Sequence, residues 1–151
     1  MKEDCIFCKI IIGEIPCVKL GEDEKHISIM DINPNTEGMT LIITKKHFDS
    51  DATDMPDNEY SDLMLYTKKV AKILEKGLGV KRVAIVMEGF GVNHVHIKLY
   101  PLYGLEKKFI ETWHNDKIYF EKYVGYLSTQ LGPQKSSSEL NEVADKILKN
   151  Q

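Results

Sequence analysis

The chain has 151 residues, enough for one domain with a full core and too few for two of ordinary size. Hydrophobic residues make up 42% and charged residues 28%, a soluble globular balance, and no stretch approaches the roughly eighteen uncharged apolar residues of a membrane span. A net charge of −3 argues against a non-specific nucleic-acid binder, which needs a basic stripe, but not against a small nucleotide ligand.

The N-terminus, "MKEDCIFCKIIIGEIP", carries charges from its second residue and only a short apolar run, so it reads as neither signal peptide nor membrane anchor. Three cysteines without an export signal point to a reducing cytoplasm, where paired thiols are better explained by a metal than by a disulfide. Cys5 and Cys8 form a Cys-x-x-Cys turn that can direct two thiolates at one tetrahedral ion. With no second such pair, the remaining ligands must come from His26, His47, His94, His96 or His114. A redox dithiol is the main rival, but such motifs follow a strand and open a helix, which this N-terminus does not offer. Two ordinary buried cysteines are the plainer alternative.

Next in the chain, "PCVKLGEDEKHISIMDINP" predicts two short strands around a charged turn, ended by Asn33-Pro34. Thr40 to Thr44 is a β-branched apolar run that predicts a buried strand emerging at Lys45, Lys46 and His47. "DNEYSDLMLYTKKVAKILEKGLG" predicts a helix, with Tyr60, Leu63, Thr67, Val70, Ala71 and Leu74 on one face, Asp57 as its cap and Gly77 or Gly79 at its end. "KRVAIVMEG" and "HVHIKLYP" read as a strand pair joined through Gly89 and Gly91, with Pro101 at the exit. Strand, strand, strand, helix, strand, strand is the order of an antiparallel α+β fold. From Tyr103 to Pro133 the irregular aromatics predict a short helix plus extended loop. The tail predicts a helix with a Ser136–Glu139 capping box and an apolar face of Leu140, Val143, Ala144, Ile147 and Leu148. No linker sets this tail apart, so residues 1–151 read as one domain, a core of about 4–104 with an extension from about 105.

Side chains two apart share one face of a strand, so His94, His96, Lys98 and Tyr100 form a polar row backed by Val95, Ile97 and Leu99. Alone, such a row would be a solvent-facing strand. Taken with the other blocks it carries more. "DCIFCKIIIGEIP", "MDINPNTEGMTLIITKKHF" and "HVHIKLYP", in that order, resemble the histidine triad family of nucleotide hydrolases and transferases, and in particular its zinc-containing microbial members. The resemblance spans about Asp4 to Pro101.

What the resemblance implies is a five-stranded, mainly antiparallel sheet with helices packed on it and a C-terminal helical extension. It further implies a structural zinc on Cys5, Cys8, His47 and His94, and His96 as the nucleophile at the α-phosphorus. Ile6, Phe7 and Ile32 would line the base pocket, Asp31 would hold the ribose hydroxyls, and Asn93 would be the one amide left to hold phosphate. A homodimer is implied too, in which the C-terminal segment completes the partner's pocket, with magnesium accompanying the substrate phosphates. The chemistry agrees: a ring nitrogen given to zinc has no lone pair left, so His94 cannot attack and His96 can. Simpler readings exist for Asp31, as a turn cap, and for Phe7, as plain core.

Three departures stand out. The third histidine of the motif is Lys98, a histidine common after the glycine of the second block is Met39, and the stretch before the motif is shortened to "MEGFGVN". A lysine of ordinary pKa is a poor proton donor to a leaving group, so the site should favour polyphosphate leaving groups over amines. The rival to an enzyme is a zinc-stabilised nucleotide-binding protein with little turnover. Retention of His96 favours the enzyme.

Overall fold

The computed structural model describes residues 2–105 and 108–149, apart from the side chains of 144–146. Contacts divide the chain into two units, Met1–Phe109 and Ile110–Gln151. In the first lie α1 (Ile6–Ile11), β1 (Lys19–Glu22), β2 (His26–Met30), β3 (Thr40–Thr44), α2 (Asp57–Leu78), β4 (Arg82–Val86) and β5 (His96–Leu102). The five strands form one antiparallel sheet in the order β1-β2-β3-β5-β4.

The two faces of this sheet are covered by different things. On one, Ile42, Val95, Ile97 and Leu99 pack against Leu63, Tyr66, Val70, Ala71 and Leu74 of α2. On the other, Ile27, Ile29, Leu41 and Ile43 pack against Cys5, Phe7 and Cys8. Covering both faces explains why β3 is an unbroken apolar run rather than an alternating one, with all five residues buried. Each fully buried Leu or Ile contributes on the order of 1.5–3 kcal/mol, and both faces carry several of them.

Details of α2 differ from the sequence reading. Pro56, not Asp57, is the N-cap, and Gly79 closes the helix in the left-handed region at φ 69°. Tyr66 joins the buried face, where its hydroxyl meets Ser28 Oγ at 3.2 Å, whereas Tyr60 is exposed. Strand β5 runs through Pro101 to Leu102 instead of stopping before it. The Pro101 carbonyl accepts a hydrogen bond from Thr36 Oγ1 (3.2 Å).

Two further expectations need correction. Cys5 sits directly before α1 as its N-cap, so the Cys-x-x-Cys segment does open a helix, although no strand precedes it among the described residues. Between Tyr103 and Pro133 no helix is present among the described residues, because aromatic side chains without a three-to-four repeat offer no continuous face to bury. The second unit contains α3 (Ser137–Lys149). Its capping box forms as predicted: Ser136 N and Oγ donate to Glu139 Oε2 at 2.8 and 2.9 Å, and Glu139 N donates back to Ser136 Oγ. Leu140, Val143, Ile147 and Leu148 on α3 are exposed, and the side chain of Ala144 lies outside those described. No helix of the described residues is long and apolar enough to cross a membrane.

Candidate active site and metal centre

The pairing register places the candidate residues on one face. Ile27 opposes Ile43, which opposes His96; Ile29 opposes Leu41, which opposes Lys98, which opposes Val86. Alternation adds Asp31 beyond Ile29 and Glu88 beyond Val86 to the same face. This is the face covered by α1, so the polar row is not solvent-facing: His96 is 5% exposed and His94 fully buried. His94 lies just before β5, held by its N–H to Val92 O (2.8 Å), while Val95 N donates to Phe48 O (3.0 Å).

Two carbonyls settle which ring nitrogen of each histidine carries the proton. A carbonyl oxygen only accepts, so His94 Nε2–H donates to Thr44 O at 2.7 Å, and His94 Nδ1 keeps a lone pair. That lone pair faces Cys5 Sγ at 3.3 Å, Cys8 Sγ at 3.7 Å and His47 Nδ1 at 3.2 Å. His47 Nδ1 is also 3.4 Å from Cys8 Sγ, and its Nε2 faces Asp49 Oδ1 at 3.4 Å. Of the five candidate histidines, only His47 and His94 join the two cysteines, with all four donor atoms within 4.8 Å of one another. His26 instead pairs with Asp23 Oδ1 (3.0 Å), and His114 is exposed in the second unit.

The four residues fit a zinc ion. Tetrahedral bonds of about 2.0–2.3 Å require donor–donor edges of about 3.3–3.8 Å, close to the spacings found. Without an ion the sulfurs can meet the imidazole nitrogens only as S–H donors; a divalent cation would replace those contacts with ligand bonds to all four atoms. Burial, with the neighbouring Cys5 thiol, pushes the Cys8 thiol up, and burial holds His94 down at about 4; a divalent ion would take two thiolates and a neutral imidazole.

His96 has the complementary tautomer. Its Nδ1–H donates to the His94 carbonyl at 2.7 Å, leaving Nε2 with a free lone pair. Burial holds its pKa below the usual imidazole range, and Lys98 adds to the effect; Glu88 and Asp31 oppose it. Phe7 meets the His96 ring edge-on at a centroid distance of 5.1 Å and His94 at 5.9 Å, so it orders both rings as well as filling the core.

The remaining expected residues are arranged as follows. Asp31 Oδ1 accepts the Asn33 N–H at 2.8 Å, which is the turn-capping arrangement, and leaves Oδ2 available. Ile6 is partly exposed, and Ile32 is 88% exposed. Met39 is buried, and its carbonyl accepts the Asp31 N–H (3.0 Å). Asn93 Oδ1 accepts the Ser50 N–H at 2.9 Å and its Nδ2 donates to Asp49 Oδ1 at 3.2 Å, so its amide clamps the loop before β5 onto residues 49–50. Lys98 Nζ lies 3.4 Å from Glu88 Oε2. Glu88 is the residue the sequence reading passed over, although its place two residues past Val86 on the same strand parity was available as a signal.

The fold and site together describe an α+β domain stapled by a Cys₂His₂ cluster that holds an unprotonated ring nitrogen beside it. The HIT domain model matches residues 12–104. Over 104 residues, 66% of this chain and 79% of the relative, the sequence is 42% identical to an uncharacterised HIT-like protein of Methanocaldococcus jannaschii. It is 30% identical over 149 residues to the adenosine 5'-monophosphoramidase of Schizosaccharomyces pombe, covering 95% of this chain and 98% of that one. A crystal structure of a Streptococcus mutans protein matches with a TM-score of 0.74 at 27% identity, covering 99% of this chain and 87% of that one. The chain belongs to the HIT domain family.

Proposed function

We propose that this protein is a nucleotide hydrolase or nucleotidyl transferase that acts on the α-phosphate of dinucleoside polyphosphates or related nucleotide derivatives through a covalent intermediate on His96. The observation that carries this is the His96 Nδ1–H···O=C His94 hydrogen bond at 2.7 Å, which turns the Nε2 lone pair into the free one. The Nε2 lone pair forms the N–P bond while the bond from phosphorus to the leaving group breaks and its electron pair departs with that group. The positive charge that develops on the ring is shared through Nδ1–H with the His94 carbonyl. Water then attacks phosphorus, the N–P bond breaks, and the water proton passes to solvent.

Around this step, Ile6, Phe7 and Ile32 would line the base pocket, Asp31 Oδ2 would accept from the ribose hydroxyls, and Lys98 would meet phosphate charge. Asn93 acts through the loop it clamps. Cys5, Cys8, His47 and His94 would hold zinc, as in the zinc-containing microbial members of the family, and the ion would supply folding free energy by fixing the carbonyl that orients His96. Magnesium would accompany the substrate phosphates. The rest of the reading is a cytoplasmic homodimer whose residues from about 105 extend a single domain. The likeness to a monophosphoramidase supports the nucleotide class; Lys98, a poor acid, favours leaving groups that depart without a proton. AMP release from diadenosine polyphosphates tests the assignment: His96→Ala should abolish it while nucleotide affinity stays within about tenfold, ~1.4 kcal/mol. Near-normal rates in that variant would remove His96 as nucleophile.

A further inference from the structure

Glu88 has no part in the chemistry above, yet it is paired with Lys98 and its charge is felt at the His96 ring. The β4–β5 pairing ends at Val86 and Lys98, and Glu88, two residues further on, acts on the His96 ring through its charge. Its carboxylate is 11% exposed and lies 3.4 Å from Lys98 Nζ, itself 25% exposed. The position is held firmly. Gly89 follows at φ +79°, and a Cβ there would lie 2.7 Å from the Ser50 carbonyl oxygen, so the turn is pressed against the strap that Asn93 clamps. Glu88 also lines a cavity of about 270 Å³ whose other walls include Asp51, Thr53 and Tyr60 and no lysine or arginine.

We propose that Glu88 is a specificity-determining residue that balances the charge of Lys98 and so selects, among leaving groups that need no proton, those of lowest negative charge. This rests on the reading of His96 as the nucleophile. With Glu88 in place, the Lys98 cation, whose charge acts on His96, is already paired, and each added phosphate meets a carboxylate in a partly buried place. A single sulfate or one phosphate is tolerated; a chain of three is opposed. Without the carboxylate, Lys98 is released to the phosphate chain.

The test measures binding and turnover separately, on the full chain. Affinities for AMP, ADP and ATP, and kcat/KM for adenylyl sulfate, diadenosine triphosphate and diadenosine tetraphosphate, are compared in wild type, Glu88→Gln and Glu88→Asp. In wild type, affinity should fall from AMP to ATP. Glu88→Gln should raise ATP affinity relative to AMP, and tetraphosphate kcat/KM relative to adenylyl sulfate, each by about tenfold or more, the scale of removing one like-charge contact. Glu88→Asp, which keeps the charge, should retain the wild-type order. Equal changes for all ligands in Glu88→Gln, or loss of the order in Glu88→Asp, would overturn the selector. Nucleotide affinities that follow the predicted order without any turnover would overturn the catalytic role of His96 and leave the selector standing.

Discussion

Replacing Gly89 with alanine tests how the loop before β5 is held. Two costs are readable from the structure. An alanine at φ +79° carries the left-handed penalty of about 1–2 kcal/mol. Its Cβ, 2.7 Å from the Ser50 carbonyl oxygen, must push residues 48–50 away, and the Ser50 N–H···Oδ1 Asn93 hydrogen bond (2.9 Å) strains or breaks for about 1 kcal/mol more. Gly89→Ala should therefore lose about 2–3 kcal/mol in urea unfolding, as a lower midpoint at unchanged slope. It should also lower kcat/KM at least about tenfold, because Glu88 and the approach to His94 move with the loop. Gly91, two residues on, meets nothing within 4 Å, so Gly91→Ala should be neutral or stabilising by a few tenths of a kcal/mol. If the two variants behave alike, the loop is not clamped against residue 50 and the account of its positioning fails.

Protein purified without chelator from zinc-supplied cells should carry about one zinc per chain, and Cys8→Ser should lose both metal and thermal stability; elemental analysis finding no zinc would refute the four-ligand set. Lys98→His should raise kcat/KM on adenosine phosphoramidates more than on diadenosine polyphosphates, since an imidazole protonates a departing amine; an unchanged ratio would mean leaving-group protonation does not depend on this position. Leu63→Ala, under α2 with no solvent exposure, should cost about 2–5 kcal/mol in unfolding while leaving KM unchanged, and a cost below about 1 kcal/mol would deny the packing of α2 on β5.

The sheet was legible because its strands obey simple period rules. β3 lies at Thr40–Thr44 as the β-branched run predicts, and α2 follows its three-to-four repeat. At the candidate metal site, Cys-x-x-Cys spacing marks the two cysteines and leaves five histidines open; the family resemblance implies His47 and His94, and the four donor atoms do converge. Long-range geometry was hidden. Nothing in the sequence says that the Thr44 and His94 carbonyls set both ring tautomers, since a carbonyl is common to every residue. Glu88 was obscured because it lies past the end of β4, where alternation is easily abandoned, and its partner Lys98 is ten residues away across the hairpin. Tyr66 was missed on α2 because its polar end finds Ser28 only in the fold. α1 was missed because six residues around two cysteines show too little periodicity to announce a helix.

The measurement closest to the central claim is the intact mass of the protein, quenched in alkali seconds after mixing with a diadenosine polyphosphate, for wild type and His96→Ala. The wild type should gain the mass of one adenylyl group, mapped by fragmentation to His96, and the variant should gain none while its affinity for AMP stays within about tenfold. An adduct that persists in His96→Ala, or AMP release by the wild type with no adduct on any residue, would contradict nucleophilic attack by His96.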